Sequence, residues 1–178
     1  MPSSKKKSAS EPASGSSARL RRIRMVIFDI DGVMTDGRII YGSDGTEYKV
    51  FHAHDGYGIT RGHEHGLLFG AISGRSSKVT ELRMKRLGVT DVYQNAMDKV
   101  GACRRIMKKH RLAFDEICFI GDDEFDIDLL RKVGFSAAPC DAIGKVTREV
   151  NYVTRREGGR GAVREIIDMV LRAKRLIE

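Results

Sequence analysis

Residues 25–37 read MVIFDIDGVMTDG, in which a short apolar run leads directly into an acidic turn. The apolar residues 25–28 predict a buried strand. Asp29 and Asp31 follow two positions apart, so their side chains point the same way from the strand end. Two carboxylates this close need a cation or a shared proton, and Mg²⁺ binds one or two carboxylates together with a substrate phosphate. The stretch alone fits a magnesium site or a polar turn equally well, because Asp-Gly is also a common turn signal.

Three further motifs follow in order along the chain. The apolar run 67–72 ends at Ser73, Lys99 begins a helical pattern, and the apolar run 117–120 ends at GDDEFD, residues 121–126. In open α/β sheets, ligands bind at the carboxyl ends of the parallel strands. We therefore expect these polar groups to meet at one edge of a sheet.

Strand-like and helix-like runs alternate after residue 24, which predicts βαβ units and a parallel sheet. The turn-forming residues 42–45, Gly-Ser-Asp-Gly, predict a β-hairpin over residues 39–51. No long insertion could form a separate cap domain. We expect one α/β domain over residues 23–178, with helices on both faces of the sheet and the hairpin as a flap. Apolar spacing predicts helices at 56–65, after Ser76 or Ser77, after Asp98, around Phe125–Val133 and over 163–171, and a short edge strand at Val92-Tyr93.

The positive charge is concentrated at the start of the chain. Seven basic residues stand against one acidic residue among the first 24, which accounts for +6 of the net charge of +8. This segment is also rich in Ser, Ala, Gly and Pro, so residues 1–22 are predicted to be a disordered basic tail, more consistent with a solvated arm than with a binding role. The remainder is nearly balanced, so we expect no nucleic acid to bind through the folded domain.

The three cysteines, Cys103, Cys118 and Cys140, form no CxxC pair. The first two fall on apolar patterns, which favours core positions in a reducing compartment. No apolar run approaches the roughly 20 residues of a membrane helix, and the first residues lack the apolar segment of a secretory signal. We expect a cytoplasmic protein without a membrane segment.

The ordered set Asp-x-Asp, Ser, Lys and Gly-Asp-Asp-x-x-Asp resembles the motifs of the haloacid dehalogenase superfamily of phosphatases. Within it, GVMTDG (32–37), DGYGI (55–59), ISGR (72–75) and GGRGAVRE (158–165) make the chain similar to the 3-deoxy-D-manno-octulosonate 8-phosphate phosphatase family over about residues 24–175. The resemblance implies a Rossmannoid fold without a cap domain. It also implies Mg²⁺ as cofactor, a place in lipopolysaccharide sugar synthesis, and a cytoplasmic homotetramer in which one subunit's hairpin covers a neighbour's site.

The resemblance also implies catalytic roles. Asp29 is the nucleophile that forms an aspartyl-phosphate, and Asp31 is the acid and base that serves the leaving group and then the water. Ser73 and Lys99 hold the phosphoryl oxygens.

The same resemblance implies a metal site formed by Asp29, Asp122 and, through a backbone carbonyl, Asp31. Asp123 and Asp126 are expected to orient the metal-bound waters and Lys99. An equally good interpretation of Asp126 is that it caps its own helix.

Substrate contacts are expected from the segment 52–56, which matches the family's substrate loop, and from two arginines suited to bidentate binding of carboxylate or phosphate. Arg83 could equally be a solvated helix cation. The family has Arg where this chain has His54, and a basic residue where it has Thr60, so the exact sugar acid stays open. The full expected set is Asp31, His52, Ala53, His54, Asp55, Gly56, Arg75, Arg83 and Lys99.

The glycine-rich loop 158–161 fits either an anion site at the start of the last helix or a tight turn, and we favour the turn. Other functions also fit parts of the sequence. One is a phosphatase of a nine-carbon, sialic-acid-type sugar acid phosphate. A signalling receiver domain is disfavoured because its acidic pair and its phosphorylated Asp lie at different strand ends. A non-catalytic regulatory subunit is disfavoured because every residue needed for catalysis is present.

Overall fold

The computed structural model describes residues 14–178. Its strands are β1 (Met25–Phe28), β2 (Ile40–Tyr41), β3 (Glu47–Tyr48), β4 (Leu68–Ile72), β5 (Asp91–Tyr93), β6 (Ile117–Ile120), β7 (Phe135–Ala138) and β8 (Tyr152–Val153). Its α-helices are α1 (Ser14–Arg22), α2 (Ala53–Glu64), α3 (Lys78–Arg86), α4 (Lys99–His110), α5 (Ile127–Leu130), α6 (Gly144–Thr147) and α7 (Ala162–Ala173). Short 3-10 turns cover Phe114–Glu116 and Glu124–Asp126.

Six strands form one sheet in the order β5-β4-β1-β6-β7-β8, and every neighbouring pair is parallel. In the centre, Phe28 at the end of β1 is level with Ala71 of β4 and Ile120 of β6. The chain therefore leaves these three strands at the same edge, and the polar motifs that follow them are brought together there. The predicted parallel α/β fold is confirmed.

Helices cover both faces of the sheet, as the sequence predicts. Val26 and Phe28 belong to a core cluster shared with α1, α2 and α7, whereas Met25 and Ile27 belong to a second cluster shared with α4 and α5. Alternate side chains of a strand point to opposite faces, and a parallel sheet buried on both faces needs apolar residues at every position. This is why the strand preceding the acidic turn is apolar throughout.

The predicted hairpin is present. β2 and β3 pair antiparallel, with Ile40 opposite Tyr48 and Tyr41 opposite Glu47. The edge strand expected at Val92-Tyr93 is also present, as β5. The sequence analysis did not identify β7 or β8, which are short and, in β7, partly built of Ser and Ala.

The N-terminal boundary differs from the sequence-based expectation. Residues 14–22 form α1, so the predicted disorder does not extend through them. Leu20 and Ile23 are almost fully buried in the core cluster that includes α7, and Lys174 donates a hydrogen bond to the backbone carbonyl of Arg21 (2.7 Å). These two apolar side chains outweigh the polar composition around them. The rest of the predicted tail, residues 1–13, lies outside the described residues.

Within residues 14–178, no helix combines the length and apolar character needed to cross a bilayer.

Candidate active site

Three carboxylates converge at the edge where the central strands end. Asp29 follows β1, Asp122 follows β6, and Asp126 closes the 3-10 turn after it; one carboxylate oxygen from each lies within 4.8 Å of the other two. Asp29 is anchored from both sides, because its backbone N–H donates to Ile120 O (3.0 Å) and its Oδ1 accepts from the N–H of Ile30 (2.7 Å). The register of the sheet thus places the proposed nucleophile beside the acidic loop.

Lys99 supplies the positive charge of this cluster. Its side chain is 5 % exposed, and Nζ lies 3.0 Å from Asp29 Oδ2 and donates to Asp126 Oδ1 at 2.6 Å. Burial alone lowers the pKa of Lys99, but Asp29 and Asp126 outweigh it and raise that pKa above its usual value. Asp98 positions the lysine by capping α4, since its side chain accepts from the N–H of Gly101 (2.8 Å). The helix predicted after Asp98 is therefore present, and Asp98 is its cap.

Asp126 organises the acidic loop. While its Oδ1 binds Lys99, its Oδ2 accepts from the N–H groups of Asp122 (2.9 Å) and Asp123 (3.2 Å). Its side chain makes no cap to the short helix α5 that it precedes, but the bond from Asp123 N–H belongs to a capping box of the 3-10 turn Glu124–Asp126, so Asp126 both caps its own turn and binds Lys99. A Cβ at Gly121 would lie 2.5 Å from the Asp126 Cγ, so this close packing requires glycine there. With both oxygens engaged, Asp126 is placed to orient its neighbours.

Asp122 is the carboxylate that fits a cation ligand most clearly. Its buried Oδ1 has no hydrogen-bond partner among the described residues, and a Cβ on Gly32 would lie 2.0 Å from its Oδ2. Burial, and then the charges of Asp29 and Asp126, raise the pKa of Asp122 to about 8. Burial also raises the pKa of Asp29 to about 6, against the opposing effect of Lys99. Carboxylates this costly to ionise fit a hard divalent cation such as Mg²⁺.

Ser73 stands on the other side of the nucleophile's strand, directly after β4, and is 4 % exposed. Its N–H donates to Tyr93 O (2.8 Å), and its Oγ accepts from the N–H of Arg75 (3.2 Å). These bonds fix the side chain and leave the hydroxyl free to donate to an anion.

Asp31 points away from the other carboxylates and towards the hairpin. Its Oδ1 accepts from Lys49, and its Oδ2 accepts from Arg75 Nη1 (3.4 Å). Arg75 also donates to Glu47 Oε1 (2.9 Å) and to the Tyr41 hydroxyl (3.1 Å). The side chain of Asp31 therefore binds the cations Lys49 and Arg75 and is not part of the carboxylate cluster, and a metal contact through its backbone stays a prediction.

Lys49 is a site residue that the sequence did not reveal, because a charged side chain in a short hairpin is expected to face solvent. Along the hairpin, Tyr48 and Val50 are 55 % and 65 % exposed, whereas the Lys49 side chain between them is 2 % exposed. A strand with its charged residue inside and its apolar neighbours outside inverts the usual alternation. Such an inversion indicates a buried partner for the charge.

The expected substrate loop forms a second group at the start of α2. His52 precedes the helix and accepts from the N–H of His54 (3.3 Å) through Nδ1, and Ala53 begins the helix itself. A Cβ on Gly56 would lie 2.4 Å from Arg83 Nη2, and the Arg83 guanidinium carbon lies 5.7 Å from the centroid of a neighbouring Phe ring. Arg83 is therefore not a freely solvated helix cation, and its buried Nε has no partner among the described residues. Within residues 14–178, no hydrogen bond or ion pair joins this group to the carboxylate cluster.

Asp55 has a structural position in this chain. It is fully buried, and its two oxygens accept from the N–H groups of Gly161 (3.1 Å) and Arg164 (2.8 Å). The prediction that Asp55 contacts substrate does not fit this side chain, which caps the N-terminus of α7. The same contacts exclude the anion-site interpretation of the glycine-rich loop, because the carboxylate already occupies those donors.

That loop instead supports the catalytic turn. A Cβ on Gly158 would lie 1.9 Å from the Gly32 carbonyl oxygen, and the N–H of Gly159 donates to Val33 O (2.9 Å). The favoured tight turn is confirmed, and its glycines let two loops lie in direct contact.

A large groove lies on the other side of the loop. Its volume is about 1020 Å³, and its lining includes His52, His54 and the arginines Arg155, Arg156, Arg160, Arg164 and Arg172. None of the catalytic carboxylates lines it. The groove therefore lies apart from the carboxylate cluster, and its five arginines, accompanied by Glu165 and Asp168, lie beside the predicted substrate loop.

Comparison with known proteins agrees with this geometry. A sequence model of haloacid dehalogenase-like hydrolases matches residues 59–167. The 3-deoxy-D-manno-octulosonate 8-phosphate phosphatase KdsC of Escherichia coli strain K12 is 40 % identical over 157 residues, covering 88 % of this chain and 84 % of that protein.

Solved structures extend the comparison. The phosphatase of the same description from Yersinia pestis has a TM-score of 0.90 at 38 % identity, covering 91 % of this chain and 88 % of that one. The enzyme from Moraxella catarrhalis, solved with magnesium ion, phosphate ion and KDO, has a TM-score of 0.89 at 32 % identity, covering 92 % and 94 %. The chain therefore belongs to the 3-deoxy-D-manno-octulosonate 8-phosphate phosphatase family of haloacid dehalogenase-like hydrolases.

Proposed function

We propose that this chain hydrolyses 3-deoxy-D-manno-octulosonate 8-phosphate to the free sugar acid (KDO) and phosphate. The observation that carries the proposal is the convergence of Asp29, Asp122, Lys99 and Ser73 at one sheet edge, in a chain 40 % identical to a phosphatase of that substrate. A nucleophile, a cation site and two phosphate-binding groups are the parts that phosphoryl transfer to an aspartate requires.

In the first step, a carboxylate oxygen of Asp29 attacks phosphorus. The bond from phosphorus to the sugar oxygen breaks, its electron pair goes to that oxygen, and the carboxylic acid of Asp31 donates the proton that makes the product an alcohol. Lys99 and Ser73 hold phosphoryl oxygens during this transfer. Lys99 also keeps Asp29 in its ionised, nucleophilic form, because its charge opposes the rise in pKa caused by burial.

In the second step, water attacks phosphorus of the aspartyl-phosphate. Asp31, now a carboxylate, takes a proton from the water, and the bond between phosphorus and the Asp29 oxygen breaks. Phosphate leaves, and both carboxyl groups return to their starting state.

The residues that would hold Mg²⁺ are Asp29 and Asp122. The ion, when bound, neutralises the repulsion between the attacking carboxylate and the phosphate dianion. The unsatisfied Asp122 Oδ1 and the raised pKa values of both carboxyls support this site. Asp126 and Asp123 support the loop that presents Asp122.

We further propose that a neighbouring subunit completes the substrate site in a homotetramer without separate cap domains. The segment 52–56 and Arg83 lie together, yet no bond among the described residues connects them to the chain's own carboxylates. Their use in a neighbour's site would explain this separation. The exposed apolar hairpin residues Ile39, Tyr41 and Val50 supply a surface for such an assembly.

The three free cysteines, two of them buried, support a cytoplasmic location as part of the same proposal.

Trapping of the phosphoenzyme tests the mechanism. Mixing excess enzyme with ³²P-labelled substrate and Mg²⁺ and quenching in acid within milliseconds should leave label on a peptide that contains Asp29. Asp29→Asn should retain its fold and lose both the label and steady-state phosphate release. Label on another residue, or turnover by Asp29→Asn, would overturn the assignment.

A further inference from the structure

Lys49 is a buried charge with one dedicated partner. Its side chain is 2 % exposed, it binds Asp31 Oδ1, and the nearest other carboxylate oxygen, Glu47 Oε1, lies 3.9 Å away. Burying an ammonium group is costly unless the group is paired and hydrogen-bonded. The hairpin therefore delivers this ammonium to Asp31 in particular.

Arg75, the other cation on Asp31, is shared. It is 35 % exposed, and its contact with Asp31 is longer (3.4 Å) than its contacts with Glu47 (2.9 Å) and Tyr41 (3.1 Å). Glu47 and Tyr41 hold the guanidinium towards the hairpin, so Lys49 is the stronger restraint on the Asp31 carboxylate.

The backbone explains how Lys49 reaches this place. Tyr48 is paired with Ile40 across the hairpin and points to solvent, so the next residue points inward. The inward position faces the turn that follows β1, where Asp31 lies two residues beyond Asp29. The register of the hairpin therefore sets the position of the Asp31 carboxyl.

We propose that Lys49 is a positioning residue: it binds Oδ1 of the Asp31 carboxyl and leaves Oδ2, whose contact with Arg75 is long (3.4 Å), to carry the proton that goes to the leaving alkoxide, so that the hairpin is a working part of this chain's own active site. The inference rests on the proposed function, in which Asp31 is the acid and base. The role assigned to Lys49 is to hold Asp31, and no phosphate contact is assigned to it.

Substrates with different leaving groups provide the test. An alkyl phosphate such as the octulosonate 8-phosphate leaves as a strongly basic alkoxide and needs the proton, whereas 4-nitrophenyl phosphate leaves as a weak base and does not. General acid catalysis contributes roughly 10²–10⁴-fold to such steps. Lys49→Met should therefore lower kcat for the alkyl substrate by about 10–100-fold and kcat for the aryl substrate by less than about threefold.

A double-mutant cycle separates positioning from a structural effect. Asp31→Asn removes the acid that Lys49 is proposed to position. Adding Lys49→Met to Asp31→Asn should therefore lower kcat for the alkyl substrate by less than about a further threefold. If the two residues acted independently, the two losses in kcat would multiply. Lys85→Met, an exposed lysine on α3, is the matched control and should leave both activities unchanged. Lys49→Gln serves in place of Lys49→Met if the latter does not fold.

The possible results are distinct. Equal losses on both substrates, or multiplicative losses in the cycle, would overturn the positioning role. A wild-type enzyme that hydrolyses neither substrate would instead contradict the proposed function itself.

Discussion

Replacing Lys99 with Met should destabilise the metal-free protein far more than the loss of an exposed lysine. The ammonium lies 3.0 Å from Asp29 Oδ2 and 2.6 Å from Asp126 Oδ1. With an effective dielectric constant of about 20, these contacts correspond to roughly 5.5 and 6.4 kcal/mol of gross Coulomb attraction. Desolvation of the lysine offsets much of this, so we expect a net loss of about 3–5 kcal/mol in the free energy of unfolding, the range for a broken buried pair.

The control is Lys145→Met. This lysine lies 2.9 Å from Glu124 Oε2, a similar distance, but both side chains are more than half exposed. A solvated pair of this kind contributes at most about 1 kcal/mol. Urea unfolding of wild type and both variants, in EDTA at pH 8, gives the comparison.

The pH dependence has a predicted sign. The pKa of Asp29 is about 6 in the folded protein, above its ordinary value of 3.8, so the folded state holds a proton that the unfolded state releases, and stability falls as pH rises between these values. Without Lys99 that pKa rises further and the fall continues to higher pH. The cost of Lys99→Met should therefore be larger at pH 8 than at pH 5. Equal costs for Lys99→Met and Lys145→Met at pH 8 would refute this electrostatic account of the site.

Three other predictions concern the same turn and its metal. Asp122→Asn should raise the free energy of unfolding of the metal-free protein, and this gain should grow between pH 5 and 8 by up to about 1.4 kcal/mol per pH unit. The same variant should abolish the rise in thermal midpoint that Mg²⁺ causes. An unchanged Mg²⁺ effect would show that Asp122 is not a metal ligand. The wild-type affinity for Mg²⁺, measured by calorimetry, should rise from pH 6 to 8.5 because Asp122, with a pKa of about 8, must lose its proton to bind; a flat profile would contradict the raised pKa. Gly158→Ala should lower the free energy of unfolding by about 1–3 kcal/mol through overpacking and should lower kcat, because the new Cβ would lie 1.9 Å from the Gly32 carbonyl oxygen. The control is Gly144→Ala, where the new Cβ meets only the end of a flexible Arg side chain at 3.4 Å. Equal thermal midpoints for the two variants would argue against the contact between Gly158 and Gly32.

Much of the fold follows from local signals. The apolar run before Asp29 and the run before Asp122 each predict a buried strand, and the rule that parallel strands end at one edge predicts that their carboxylates meet. The structure brings them within 4.8 Å with Asp126. Asp98 was also readable as a helix cap, because that role depends only on residues three positions away.

The side-chain roles that the sequence did not reveal depend on contacts with residues far away in the chain. The role of Asp55 is set by N–H groups more than 100 residues away, at Gly161 and Arg164. Leu20 is nearly fully buried among basic neighbours because α7 packs nearby, and the local composition contains no sign of that. Lys49 lies between the exposed Tyr48 and Val50, but its partner lies in another loop, so the local sequence does not reveal the contact. Composition and periodicity describe such positions poorly because tertiary contacts decide them.

The choice of substrate is the most direct test of the central claim. We would measure kcat/KM for Mg²⁺-dependent phosphate release from 3-deoxy-D-manno-octulosonate 8-phosphate and from a nine-carbon keto-deoxy sugar acid phosphate, with Asp29→Asn as the blank. One carbon more or less in a fitted site changes selectivity by roughly 10–200-fold. The account predicts a preference of at least about tenfold for the eight-carbon acid, despite His54 and Thr60 in place of the family's basic residues. An equal or higher kcat/KM for the nine-carbon acid would contradict it.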